Sequence, residues 1–108
     1  MINNKYDDQL PLTEATFYVL ISLWNPRHGY GIMQNTEKLT NNRVKLGPGT
    51  LYGALSALIK KKWIIPLDQE EQGRRKTYRL TDLGKKIVQA ELARLSDMVS
   101  HGTQTINS

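Results

Sequence analysis

Residues 47–62 read GPGTLYGALSALIKKK, and this stretch decides the fold. Its apolar positions recur at helical spacing, at Leu51, Leu55, Leu58 and Ile59. We predict a helix from Pro48 to about Lys62, because proline suits a first helical turn, where its missing N–H loses no partner. Glycines nevertheless stand at 47, 49 and 53, although glycine in a helix interior costs about 0.8–1 kcal/mol relative to alanine. The small side chains at the start of this helix therefore need an explanation.

The outer face of this helix offers one. With the leucines and Lys62 placed toward the core at 100° per residue, the opposite face carries Gly49, Gly53, Ser56, Ala57 and Lys60. A face with so little bulk lets a helix backbone approach DNA closely, and the free N–H groups of its first turn can meet a phosphate. The alternative is structural: the segment 47–49 is only a turn, and Gly53 marks a close helix crossing.

Composition excludes several classes of protein. The 108 residues suit one domain, and 39% hydrophobic with 23% charged residues is typical of an ordinary globular chain. The absence of cysteine excludes disulfides, thiolate chemistry and cysteine-ligated zinc. No apolar run approaches 18 to 20 residues, and the N-terminus MINNKYDDQL has no apolar signal region. We therefore expect a cytoplasmic protein with no membrane partner.

Positive charge is concentrated in the middle of the chain. The net charge is +5, and residues 43–79 hold nine Lys or Arg against three acids, whereas the remainder holds six against seven. Most charge runs are only solvated surface, but an excess confined to one region favours a polyanion-binding face.

The order of elements predicts a mainly α fold with a small β-hairpin wing. Helices are expected at 12–24 and 29–39, then at 48–62, followed by a hairpin of WIIPLD and KTYRL around the polar loop QEEQGRR. A last helix starts after Thr81, its predicted cap. Three helices, a hairpin and a long helix form the winged helix-turn-helix order, in which the third helix enters the major groove.

The last helix carries an apolar seam. Val88, Leu92, Leu95 and Val99 follow steps of four, three and four residues, a spacing suited to another helix. The resulting organisation is a flexible arm at 1–11, a winged-helix domain at 12–80, a dimerisation helix at 81–100 and a frayed tail at 101–108.

The sequence gives little support for a metal site, a catalytic site or a cofactor site. Trp24 and Trp63 are expected in the core. His28 and His101 lack partners at metal-ligand spacing, so we predict neither a metal nor a cofactor. No nucleophile–base grouping or phosphate loop indicates a catalytic residue, so we do not expect an enzyme. The serious alternative is a winged-helix module that binds protein without DNA, which would need an exposed apolar patch and no basic wing.

Four segments in order carry a family resemblance. LTEATFYVLISLW, HGYGI at 28–32, PGTLY at 48–52 and GRRKTYRLTDLG at 73–84 resemble the PadR family of bacterial transcriptional regulators. The resemblance covers about residues 12–100. It implies a dimeric winged-helix repressor that binds double-stranded DNA at a partly palindromic operator.

The resemblance also implies roles for individual residues. On the third helix the DNA-binding residues would be Gly49, Thr50, Tyr52, Gly53, Ser56 and Lys60. Tyr52 lies on the flank, so it can equally pack its ring against the domain. The wing would contribute Arg74, Arg75 and Lys76, gripping backbone or minor groove.

The same family uses its terminal helices to dimerise. The expected homodimer interface consists of Phe17, Ile21, Val88, Leu92, Leu95 and Val99. Some relatives bind small aromatic effectors at that interface by stacking them on a tryptophan of the last helix. This chain has no tryptophan after Trp63, so an effector, if one releases the repressor, is of unknown identity.

Overall fold

The computed structural model describes residues 5–67 and 76–108 as helices around a small sheet. After a 3₁₀ turn at Asp7–Gln9, the elements are α1 (Glu14–Ser22), β1 (Arg27–His28), α2 (Gly29–Leu39), α3 (Pro48–Lys60), β2 (Ile64–Leu67), β3 (Thr77–Leu80) and α4 (Asp82–Ile106). The predicted order of three helices, a hairpin and a long helix is confirmed.

The sheet has one strand more than the sequence predicts. Its order is β1-β3-β2, all antiparallel, with Ile64 opposite Leu80 in the hairpin. The extra strand β1 places Arg27 opposite Tyr78 and starts directly after Asn25 and Pro26. A strand of two residues is too short to show an alternating pattern, which is why the sequence gives no sign of it.

The core is formed by one side of each helix and the inner face of the sheet. Its fully buried side chains include Val19, Leu20, Leu23, Ile32, Leu51, Leu55, Ile64 and Ile87. The predicted burial of the α3 leucines and of Trp63 is confirmed.

Some apolar residues predicted to be buried are exposed. Trp24 is 45% exposed, because α1 ends at Ser22 and the tryptophan lies past its last turn; the Lys85 ammonium lies 5.6 Å from its ring centroid. Ile59 is 36% exposed because it lies at the edge of the α3 stripe.

The end of α3 corrects the predicted position of Lys62. The helix ends at Lys60, and Lys62 is exposed with a left-handed φ of 65°, so it does not face the core. The N–H of Lys62 donates to Ile59 and that of Trp63 to Leu58, the bond pattern of a Schellman ending. This ending turns Trp63 back onto α3 and directs the chain into β2.

The start of α4 packs against that same turn. The Thr81 hydroxyl accepts from the Gly84 N–H at 3.0 Å and donates to the Lys62 carbonyl at 2.7 Å, which confirms the predicted cap. Gly84 is buried, and a Cβ added there would lie 2.1 Å from the Trp63 carbonyl oxygen. Only glycine lets this turn approach the backbone so closely.

A buried carboxylate ties α4 to the N-terminal segment. The Glu91 side chain accepts from the Leu12 N–H at 2.9 Å and from two nitrogens of Arg94 at 2.6 and 2.9 Å. The hydrogen bond from Arg94 lowers the pKa of Glu91, although burial opposes that shift. In the segment predicted as an arm, Tyr6 and Leu10 also pack against the core.

The C-terminal tail is helical over most of its length. α4 continues through residues 101–106, and the Thr105 hydroxyl donates to the His101 carbonyl. Extending an existing helix adds one bond per residue fixed and needs no new nucleus, so no tertiary contact is required here. Among the helices of residues 5–67 and 76–108, none is long and apolar enough to cross a membrane.

Candidate nucleic-acid interface

The first turn of α3 presents backbone donors to solvent that pair with no acceptor among the described residues. The first hydrogen bond of α3 runs from the Leu51 N–H to the Gly47 carbonyl, at 2.9 Å. The N–H groups of Gly49 and Thr50 come before it, so they have no acceptor within the helix. Both residues are exposed, and Gly47 has no side chain with which to cap them. The positive end of the helix dipole therefore faces outward with donors that suit an anion.

Open space surrounds the glycines of this face. A Cβ added at Gly47, Gly49 or Gly53 would meet no described atom within 4 Å beyond its chain neighbours and the backbone of its own helix. The alternative of a close helix crossing at Gly53 is therefore wrong. Ser56 and Lys60 are also exposed on this helix. The outer face of α3 is small and open, as the sequence predicts.

Tyr52 lies on the flank of that face and packs its ring on α2. Its side chain is 48% exposed, and a Cβ added at Gly29 would lie 2.6 Å from its hydroxyl oxygen and 3.1 Å from Cζ. Burial raises the pKa of Tyr78, and the nearby Tyr52 hydroxyl adds to that effect. Gly29, the first glycine of HGYGI, thus makes room for Tyr52. The sequence analysis did not predict this contact.

The wing carries exposed cations where the structure describes it. Lys76 is exposed just before β3, whereas Arg74 and Arg75 lie outside the described residues. Arg79 projects from the outer side of β3, with its Nη1 donating to the Leu80 carbonyl at 3.2 Å. Sequence reasoning counted Arg79 in the basic region but not in the site. The alternation of buried Tyr78 and exposed Arg79 along β3 would have indicated that Arg79 lies on the outer face of the wing, beside the candidate site.

The second half of α4 exposes an apolar stripe. Leu92 is 57% exposed and Val99 is 68% exposed, with half-buried Leu95 between them. Val88 is only 5% exposed and belongs to the core of its own chain, so the free stripe begins at Leu92. The remaining two residues of the predicted dimer interface are half-buried on α1, Phe17 and Ile21.

The length of α4 accounts for this exposure. Its 25 residues span about 37 Å, at 1.5 Å per residue. Its buried residues all lie between Gly84 and Glu91, so the helix leaves the core after about three turns. The small α3 face and the apolar α4 stripe are consequently separate surfaces of different chemistry.

Comparison with known families agrees with this architecture. The family model described as transcriptional regulator PadR-like family matches residues 17–90. The chain belongs to the PadR-like family. The family is one of transcriptional regulators, which confirms the resemblance and agrees with the prediction of a non-enzymatic domain.

Individual relatives support the same assignment. An uncharacterised 37.1 kDa protein of transposon TN4556 from Streptomyces fradiae is 41% identical over 90 residues, which cover 80% of this chain and 25% of that protein. This chain therefore spans about a quarter of that relative's length. A transcriptional regulator from Clostridium thermocellum is 26% identical with a TM-score of 0.65, covering 87% of this chain and 89% of that one.

The fold recurs at lower identity. A PadR family transcriptional regulator from Eggerthella lenta has a TM-score of 0.69 at 21% identity, covering 86% of this chain and 81% of that one. At this identity the likeness concerns the fold, and the winged-helix arrangement predicted from the element order is confirmed by it.

Proposed function

We propose that this PadR-family regulator binds double-stranded DNA through the outer face of α3. The observation that carries the proposal is the open space beside Gly53, on a helix whose opposite side is fixed by three buried leucines. A rigid helix with a flat, small face can lie deep in a major groove, with Thr50 and Ser56 as hydrogen-bonding groups toward base edges.

Charge supports the same surface. Residues 43–79 hold the whole basic excess of the chain. Lys60 lies on the outer face of α3, and Lys76 directly precedes β3 of the wing. Together with Arg74 and Arg75, they would contact phosphates on either side of the groove.

The proposed assembly is a homodimer that represses transcription in the cytoplasm. A second copy of the chain would cover the exposed stripe of Leu92, Leu95 and Val99. Two-fold symmetry would then present two α3 helices to two half-sites, so we expect a partly palindromic operator. A small-molecule effector would release the repressor.

Selection of bound duplexes from a random pool, followed by titration at several salt concentrations, tests the proposal. We expect a motif with two related half-sites and an affinity that falls steeply as salt rises. The alternative winged-helix module for protein partners predicts no enriched motif and no salt-dependent binding to duplex.

Two substitutions separate the roles of wing and helix. Lys76→Ala should weaken binding to operator and random duplex alike and lower the salt slope by about one. Ser56→Ala should instead reduce discrimination by about 1 kcal/mol with an unchanged slope. Lys86→Ala removes the same charge from α4 and is the matched control. If the salt slope falls equally for Lys86→Ala, the effect of Lys76→Ala does not indicate a contact between the wing and DNA.

Light scattering tests the dimer. The parent should give twice the chain mass of 12.3 kDa, and Leu92→Glu should give a monomer that binds operator weakly. His101→Glu puts the same charge on the opposite side of α4 and should leave the dimer intact. A monomeric parent would overturn this part of the proposal.

A further inference from the structure

The ring of Tyr52 occupies the space that Gly29 leaves free at the start of α2. Gly29 is buried, whereas Tyr52 on α3 is 48% exposed. A Cβ added at Gly29 would lie 2.6 Å from the tyrosine hydroxyl oxygen, 3.1 Å from Cζ and 3.2 Å from Cε1. Any larger residue at position 29 would therefore need the place that the ring now takes.

The backbone before Gly29 is held in place by the sheet and by side-chain contacts. His28 in β1 lies opposite Thr77 in β3, and the His28 Nδ1 is 3.2 Å from the Thr77 hydroxyl oxygen. The Nε of Arg27 donates to the Ser22 carbonyl at 2.7 Å. The start of α2 therefore cannot move away from the ring without losing these contacts.

The helix that carries Tyr52 is also fixed. Its buried side, formed by Leu51, Leu55 and Leu58, belongs to the core. On the side of the wing, Tyr78 is only 7% exposed; burial raises the pKa of Tyr78, and the nearby Tyr52 hydroxyl adds to that rise. A methyl group at position 29 would consequently displace the half-exposed ring outward, because moving a close-packed helix costs far more.

A ring displaced outward would cover the face proposed to meet DNA. Residues three and four positions apart are neighbours on a helix, so Tyr52 adjoins Gly49 on one turn and Ser56 on the next. Long helical side chains lean toward the N-terminal turn, here toward Gly49. A Cβ added at Gly49 would meet no described atom within 4 Å beyond its chain neighbours and its own helix backbone, so the ring has room there.

We propose that Gly29 is a positioning residue for DNA recognition, because it lets the Tyr52 ring lie against α2 and so keeps the outer face of α3 clear. This inference rests on the proposed DNA-binding function. Gly29 is buried, so it acts on DNA binding through the position of the ring and not through a contact of its own. The start of α2 thereby becomes a determinant of operator specificity.

Proton NMR tests the position of the ring without DNA. In the parent, the ring protons of Tyr52 should show nuclear Overhauser contacts to the α protons of Gly29. In Gly29→Ala, which should remain folded in a thermal melt, contacts to the α protons of Gly49 should replace them. A Gly29→Ala variant that keeps the ring on residue 29, or that fails to fold, would overturn the proposal.

Operator titration tests the consequence for recognition. Gly29→Ala should weaken binding to the selected operator at least about tenfold, the effect of losing one base contact, with a smaller loss on random duplex. Gly31→Ala is the matched control in the same helix, because its Cβ would meet only the Cβ of Arg27, at an ordinary 3.7 Å. It should keep the parental affinity, and an equal loss in both variants would contradict a role for the ring.

The same titration in a Tyr52→Ala background isolates the contribution of the ring. Without the ring, adding Gly29→Ala should cause no further loss of operator affinity, and the double variant should melt like Tyr52→Ala. A further loss as large as in the parent, or a double variant that does not fold, would show that Gly29 acts independently of Tyr52.

The parent protein separates this inference from the function on which it rests. A parent that binds no selected operator would overturn the proposed function and this inference with it. A parent that binds its operator beside a folded Gly29→Ala variant of equal affinity would overturn this inference alone.

Discussion

The N-terminal parts of α3 and α4 both contain glycine, but the two helices use it for opposite purposes. In α4, Thr81 caps the helix and Gly84 lies against the Trp63 carbonyl, where a Cβ would be 2.1 Å from oxygen. In α3, Gly47 offers no cap, and Gly53 has open space beside it. The fold therefore explains the glycine of α4 but not that of α3.

A glycine that the fold does not require marks a surface available to a partner. A glycine that the core requires becomes a clash when a methyl group is added, whereas a glycine on an open helix only weakens the helix. Because no internal contact accounts for Gly53 among the described residues, we attribute it to the approach of DNA.

The largest expected effect is that of Gly84→Ala. The new Cβ meets the backbone of Trp63, which cannot move without disturbing the end of α3 and the start of α4, so we expect a loss of at least about 1–3 kcal/mol. Gly53→Ala is the matched control and should stabilise by up to about 1 kcal/mol. Urea unfolding at one fixed protein concentration measures both changes. Equal effects would contradict the claim that the fold requires Gly84 but not Gly53.

Glu91→Gln should cost about 1–3 kcal/mol near neutral pH, because the Leu12 N–H and the Arg94 guanidinium lose a charged acceptor at a buried site. The pKa of Glu91 is lowered in the folded protein, so its contribution is present above the ordinary glutamate value of about 4.3 and is lost as pH falls below it. Urea unfolding at pH 7 and pH 3 should show the variant approaching the parent at low pH. A pH-independent difference would contradict this account.

Thr81→Ala should cost about 1 kcal/mol, since the hydroxyl both caps Gly84 and donates to Lys62. Thr50→Ala removes the same hydroxyl from the open turn of α3 and should change stability by less than about 0.5 kcal/mol. Thermal melts of the two variants measure how much each hydroxyl contributes to the stability of the fold. A larger loss for Thr50→Ala would show that the α3 turn is also built into the fold.

The sequence predicts most of this fold because its local signals are strong. Pro48 with the three leucines marks α3, and Thr81 marks the start of α4. The contact of Tyr52 with Gly29 joins two helices and leaves no periodic pattern in either one. The two-residue strand β1 escapes prediction for the same reason, because it exists only through its partner β3.

The exposed Trp24 and the helical tail show that apolar spacing does not predict where a helix ends. Trp24 continues the apolar spacing of α1, yet the helix ends two residues earlier and leaves it at the surface. At the other end of the chain, α4 continues to Ile106 without apolar contacts to require it. Spacing predicts which residues share a face, but where a helix ends depends on its last hydrogen bonds.

The most direct test of the central claim is the pair Gly53→Ala and Gly53→Leu, each measured by thermal melting and by titration with the selected operator. We predict that both variants melt at or above the parent temperature, because nothing described contacts this position. Gly53→Ala should retain most operator binding, whereas Gly53→Leu should bind the operator no better than random duplex, since its side chain holds α3 away from the groove floor. A folded Gly53→Leu variant with parental affinity would contradict the claim that this face of α3 meets DNA.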